Sequence, residues 1–246
     1  MVRGLLAFAL FAICATARGA DVNWGDIESR IQYNYYVEDR RALENLATSL
    51  GASTSADPLR RYYAALVNYR VSLLTVSGRP EAAKTSLDLC VSNLDETLRV
   101  KVDFPDALAL QAACLSLLTS MKPLRWSFAG TKTPHHLLDK ALGAEPRNPR
   151  VLLLDAVTEY DRPLLHGGSK ERAFLKLEKA VAAFELERIG VEPTPGWGAA
   201  DAYTFLARGY LEKGDAIAAR GAIEHALLLA PEYALARRLL TRITSG

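Results

Sequence analysis

The chain has 246 residues, half of them apolar, so it can bury a sizeable core and is not a disordered polyampholyte. Its 30 Lys and Arg stand against 28 Asp and Glu, a formal net charge of +2 without any basic block, which gives no electrostatic footprint for DNA or RNA.

The first twenty residues read as a secretory signal peptide. Arg3 supplies a positive charge, residues 5–15 form an apolar run too short to span a bilayer, and Ala15-Thr16-Ala17 is an A-x-A cleavage site. Cleavage is expected after Ala17 or Ala20; a retained anchor is the alternative, and Phe11-Ala12-Ile13 before Cys14 is a poor lipidation signal. Removal after Ala20 takes Arg3 and Arg18 and leaves 28 basic against 28 acidic residues. No later apolar run is long and uninterrupted enough to cross a membrane, so the mature chain is expected to be periplasmic or secreted. It keeps Cys90 and Cys114, which in an oxidising compartment form one disulfide or else remain two small buried hydrophobes.

From Ile27 onward apolar residues recur at helical spacing, and strand signals are nearly absent. Residues 24–50 predict one or two helices with Ile27, Ile31, Tyr35, Leu43 and Leu46 facing inward, and residues 51–58 a connecting loop. These leading helices, within residues 21–56, are expected to cap a stack that occupies residues 57–246. The register of that stack is set by its last unit, residues 200–240. There Tyr203-x2-Leu206-Ala207-x2-Tyr210 precedes Ala219-x3-Ile223-x2-Ala226 and Pro231, the offsets of a tetratricopeptide helix–turn–helix unit of about 34 residues. The small residues Ala207, Ala219 and Ala226 let two helices approach, Leu206, Tyr210 and Ile223 fill the space between them, Gly214-Asp215 makes the turn, and Pro231 cannot continue the second helix.

Weaker copies fall into that register upstream. Val67-x2-Arg70-Val71-x2-Leu74 pairs with Ala83-x3-Leu87-x2-Cys90, with Gly78 where the last unit has Gly214. Ala109-x2-Ala112-Ala113-x2-Ser116 pairs with Leu138-x2-Ala141 and Pro146, across a turn nine residues longer that holds Trp126 and Pro134. Leu153-x2-Ala156-Val157-x2-Tyr160 pairs with Ala173-x3-Leu177-x2-Ala180, across a turn four residues longer. The expectation is an all-α, right-handed solenoid of antiparallel helix pairs, with about four repeats behind the N-terminal capping helices.

Together with Asn148-Pro149-Arg150-Val151-Leu152-Leu153-Leu154, the Gly167-Gly168 turn, the long helix to Glu187, the helix holding Cys114 and Trp197-Gly198, this sequence resembles a group of exported bacterial tetratricopeptide-repeat proteins. The resemblance spans roughly residue 58 to the C-terminus. The group's usual Tyr-Gly after the central Cys is replaced here by Leu115-Ser116. It implies a periplasmic scaffold of unassigned partner and brings no catalytic residue with it.

Chemical candidates are few. Adjacent His135 and His136 point about 100° apart on a helix, so one metal does not readily take both; His166 and His225 lie elsewhere, and no metal or other cofactor is expected. Cys114 sits among Ala112, Ala113, Leu115 and Leu117, which reads as packing rather than a thiol nucleophile, and no nucleophile elbow exists. Gly167-Gly168-Ser169-Lys170 lacks the Walker spacing and reads as a turn with Ser169 capping the next helix, although a helix start beside Lys170 attracts anions. Tyr33, Tyr35 and Tyr36, with Tyr62, Tyr63 and Tyr69, fill the core or serve a partner surface. Two function classes survive: a non-catalytic scaffold that takes a protein or peptide in its concave groove, and a module that binds a small apolar ligand or assists solute transport.

Overall fold

The computed structural model describes residues 22–52, 57–121, 133–187 and 195–245. The proposed signal peptide, Trp126 and most of the long turn around it lie outside these residues. All the regular structure described is helical: α1 (Trp24–Tyr36), α2 (Arg40–Gly51), α3 (Pro58–Thr75), α4 (Pro80–Val100), α5 (Pro105–Ser120), α6 (Pro134–Ala144), α7 (Pro149–Asp161), α8 (Lys170–Leu186), α9 (Ala199–Glu212), α10 (Ala216–Leu229) and α11 (Ala234–Thr244), with one 3-10 turn at Leu164–His166.

Local chemistry sets the helix starts. Pro occupies the first turn of α3, α4, α5, α6 and α7, where its fixed φ suits the helix and its missing N–H leaves nothing unsatisfied. Asn23, Asp39, Asp57, Thr133, Asn148, Ser169 and Asp215 each accept a first-turn backbone N–H, which satisfies donors that have no partner inside the helix. Gly214 turns α9 into α10 with φ of 79°, a left-handed backbone that a Cβ would strain. Gly78, its counterpart in the first unit, is not left-handed; there the chain leaves α3 through a right-handed cap at Val76.

The helices pair as the repeat register requires: α3 on α4, α5 on α6, α7 on α8 and α9 on α10, each pair then stacking on the next. The first helix of a pair is enclosed by neighbours. Thus α3, α5 and α7 are buried almost all round, whereas α4 buries one stripe of Ala83, Leu87, Cys90 and Leu94. In the last unit Ala207, Ala219, Ile223 and Ala226 are wholly buried, Leu206 nearly so, Tyr210 is half-buried and Pro231 lies exposed beyond α10. The second helix of the first unit is longer than its repeat pattern, because α4 carries on through Asp95 to Val100. That brings Cys90 level with Cys114 of α5, and the two are joined as a disulfide with Cα atoms 6.6 Å apart. Helix α2 packs on α3, and α1 packs on both. Five of the six clustered tyrosines are buried; only Tyr33 is exposed.

Candidate functional site

The inner helices α3 and α9 belong to the first and last units, yet their side chains meet. Arg70 of α3 donates to both carboxylate oxygens of Asp201 on α9, at 3.0 and 2.9 Å, and both residues are buried. Tyr36 of α1 donates its hydroxyl to Asp201 at 3.0 Å, Tyr233 adds a longer bond at 3.3 Å, and Gln32 accepts from Arg70. The guanidinium lies 4.1 Å from the Tyr35 ring centroid and 5.1 Å from that of Trp197. Burial opposes the Arg70 charge, but Asp201 and the surrounding tyrosines outweigh it and hold the group above its ordinary pKa. Burial first, then Asp201, pushes the Tyr36 hydroxyl well up, so it remains a donor at any physiological pH.

The motif ahead of the last unit completes this plug. Trp197 turns inward and donates its indole N–H to the Tyr62 hydroxyl at 2.9 Å, while Tyr62 packs on Phe104. Gly198 has φ of 111°, and a Cβ there would press on Phe184 and Leu153 at 3.0 and 3.1 Å. Glu28 of α1 accepts the Gly196 N–H and the Tyr63 hydroxyl; burial raises its pKa against both bonds. At the far end of α1, Glu38 pairs with Arg238 of α11. Helix α1 therefore does more than cover the first unit. From its place on α2 and α3 it bridges the two ends of the stack, through Tyr36 to Asp201 and Tyr233 and through Glu28 to Gly196.

Two further charge clusters pin the middle units. Arg150, in the first turn of α7, bonds Asp106 at 2.7 Å and Glu187 at 2.6 Å, and Asn148 also donates to Asp106. Burial raises the Asp106 pKa, with Arg150 opposing it. Glu159 of α7 accepts the Ser169 N–H at 2.9 Å and pairs with Arg172 and Lys176. Burial works against its charge, but these donors prevail and hold the carboxyl below its usual value. This settles the Gly167-Gly168-Ser169-Lys170 segment in structural terms. Its helix start already holds an internal carboxylate, Ser169 caps α8 by accepting from the Arg172 N–H, and Lys170 bonds Glu212.

Sequence reasoning did not single out these charges, although signals for two existed. Arg70 stands where the last unit has Leu206, an apolar packing position. Arg150 puts a cation at the positive end of a helix dipole, which is tolerable only with acids nearby. The adjacent His135-His136 pair diverges: His135 faces Asp139 at 3.5 Å on an exposed surface, and among the described residues no three His, Cys, Asp or Glu side chains gather as a metal site. His225 stacks on Tyr203.

Among the described residues, accessible places include the following. On the inner face of α7 and α9, half-buried Arg208 lies 5.1 Å from the Tyr160 ring centroid and 5.4 Å from that of Phe205, with Tyr160 bonded to Glu212. Its contact with the Tyr160 hydroxyl is a loose 3.5 Å, and Asp161 lies within its field. A groove over α3, between α2 and α4, is lined by Ala47, Val71, Leu89, Asn68 and Asn93. A second groove of about 610 Å³ runs between the α6–α7 turn and α8 over the start of α7.

Neither a protein-family model nor a curated protein matches the chain. Solved structures do. One is the HusA haemophore from Porphyromonas gingivalis, with TM-score 0.57, 21 % identity, and 78 % of this chain and 94 % of that chain covered. Another is a thermophilic tetratricopeptide-repeat protein from Thermus thermophilus, with TM-score 0.53, 16 % identity, and 90 % of this chain and 97 % of that chain covered. At these identities the likeness is one of fold: the chain has a tetratricopeptide-like helical-repeat architecture.

Proposed function

We propose that this chain is an exported, non-catalytic helical-repeat scaffold that binds a protein or peptide partner at the accessible part of its inner face, centred on Tyr160, Phe205 and Arg208. The observation that carries this reading is the state of Arg208. Two aromatic rings flank it, it is half-buried, and among the described residues its only hydrogen bond is the loose one to Tyr160. Tyr and Arg held in this way are the side chains that dominate protein interfaces, because they lose little freedom on docking and offer both apolar area and directed donors. Around Arg70 and Trp197, by contrast, the side chains of the first and last units are bonded to one another. Export is supported by the charge, apolar run and A-x-A order at the N-terminus and by the Cys90–Cys114 disulfide, which persists in an oxidising compartment.

The test is affinity capture from a cell-envelope extract with the wild-type chain and with Arg208→Ala, read by mass spectrometry. A partner held by the wild type and lost with Arg208→Ala is the expected result. A set of bound proteins that is the same for both chains overturns the placement of the site.

A second reading, a carrier of a small apolar ligand, is supported by the groove beside α8 and by a fold shared with a protein described as a haemophore. Titration with haem, followed by absorbance, addresses it. A saturable spectral shift that survives Arg208→Ala supports a carrier, and the absence of any shift removes haem from that reading.

A further inference from the structure

The groove beside α8 differs from the one beside α4 in a way that points to a ligand. Beside α4 the polar groups are spoken for: Glu44 pairs with Arg40, Asn68 donates to the Ala64 carbonyl, and Asn93 to the Leu89 carbonyl. Beside α8 the floor and walls are apolar, formed by Pro146, Pro149, Leu152, Ala182, Ala183 and Leu186. Leu186 is 81 % exposed, an apolar side chain left in water at the mouth of an apolar groove. Two cations stand among these residues, Arg147 and Lys179, and among the described residues neither has an ion pair or hydrogen bond. The one acid in the lining, Glu187, is already held by Arg150 at 2.6 Å. The groove therefore offers apolar surface and uncompensated positive charge.

We infer that this groove, whose lining includes both Arg147 and Lys179, binds an anionic amphiphile, a molecule with an apolar chain that lies against the apolar lining and a carboxylate head that meets the cations. A volume of about 610 Å³ lies within the range of small-molecule sites, which pair apolar walls with a few placed polar groups. Ala182 and Ala183 leave room where larger side chains would fill the groove. A cationic or neutral amphiphile meets the same walls but leaves both cations unpaired, so charge complementarity selects the anion. The site gives the ligand-carrier reading a place and a chemical class, and it is independent of the inner-face partner.

The experiment is titration calorimetry of the mature protein with decanoate below its micellar range, beside decanol and decyltrimethylammonium. One decanoate per chain is expected, with the other two binding at least about tenfold more weakly. Arg147→Ala and Lys179→Ala should each weaken decanoate about tenfold, the loss of one charge-assisted hydrogen bond, and leave decanol unchanged. Both side chains are exposed, so the variants should melt like the wild type. Ala183→Trp, which fills the groove, should abolish decanoate binding while Arg208-dependent partner capture persists. Equal binding of all three amphiphiles, decanoate binding indifferent to both Arg147→Ala and Lys179→Ala, or no binding at all would overturn the assignment. Loss of partner capture in Arg208→Ala with decanoate binding intact would bear on the inner-face reading alone.

Discussion

Arg70 occupies a repeat position that the last unit gives to Leu206, and it is accommodated because Asp201, Tyr36, Gln32 and two aromatic faces surround it. A buried ion pair is not in itself a large source of stability, since desolvation offsets most of the attraction; removing one partner is what costs. Asp201→Ala is expected to destabilise by about 3–5 kcal/mol, because Arg70 and the Tyr36 hydroxyl both lose their acceptor. The double variant Arg70→Met, Asp201→Leu should cost less than the sum of its singles, as read in a denaturant double-mutant cycle. Glu159 gives a pH signature. Its folded pKa lies below the ordinary value, so its contribution is complete above the unfolded pKa of about 4.5 and is lost as the pH falls through the lower, folded value. Glu159→Gln should therefore lose about 1–3 kcal/mol at pH 7, and its melting temperature should converge on that of the wild type as the pH drops below 4.5. The repeat register marks Arg70 as out of place, but neither its partners nor those of Glu159 were readable from the residue types alone. A charge in a helical pattern is normally solvated, and only the three-dimensional pairing distinguishes Glu159 from Arg99 and Glu96, which pair on the surface.

At the scale of the element, the spacing of small and apolar residues was enough to place helices and to pair them. The reason is geometric: where two helices nearly touch, small residues are favoured, and such positions recur at fixed offsets along the units. Ala207 and Ala219 have no exposed surface. Ala207→Trp and Ala219→Trp should each cost about 1–3 kcal/mol or more through overpacking. For a chain of this size that lowers the melting temperature by roughly 2–4 °C per kcal/mol. Unchanged thermal melts for both would mean that the helix contact is elsewhere. Element ends were less legible. The apolar stripe of α4 weakens after Leu94, yet the helix runs to Val100 because Thr97 is still buried against the start of α3 and Arg99 pairs with Glu96.

For the whole molecule, the consequence of greatest reach is the closure of the stack on itself through α1, Trp197 and the Glu38–Arg238 pair. The disulfide acts at the same scale, since it links the first unit to the second across 24 residues of sequence. Closing a loop of that length in the unfolded chain is worth about 3 kcal/mol in the chain-entropy model. Cys90→Ser with Cys114→Ser is expected to lower stability by about that amount, and thiol counting on the unreduced, denatured protein, if it is exported and cleaved as proposed, should find no free thiol. Two free thiols would refute the bridge in the mature protein. N-terminal sequencing of that same material should begin after Ala17 or Ala20; an intact Met1 would refute export by cleavage.

The helical class, the four paired units and the closeness of approach at Ala207, Ala219 and Ala226 follow from the sequence by itself, because helix periodicity and small-residue offsets are local and repeat. That Cys90 and Cys114 are bridged was one of two open outcomes in the sequence, since the segment after Cys90 decides their relative height on neighbouring helices. Only the tertiary structure decided that the first and last units meet. Arg70 and Asp201 are 131 residues apart, and Glu28 and Gly196 are 168. Their meeting depends on how far each unit rotates on the last, a small angle summed over the whole stack that no local pattern encodes. Arg147 and Lys179 are the converse case: they look like ordinary surface charges in the sequence, and only the tertiary structure puts both in the lining of one apolar groove between the α6–α7 turn and α8.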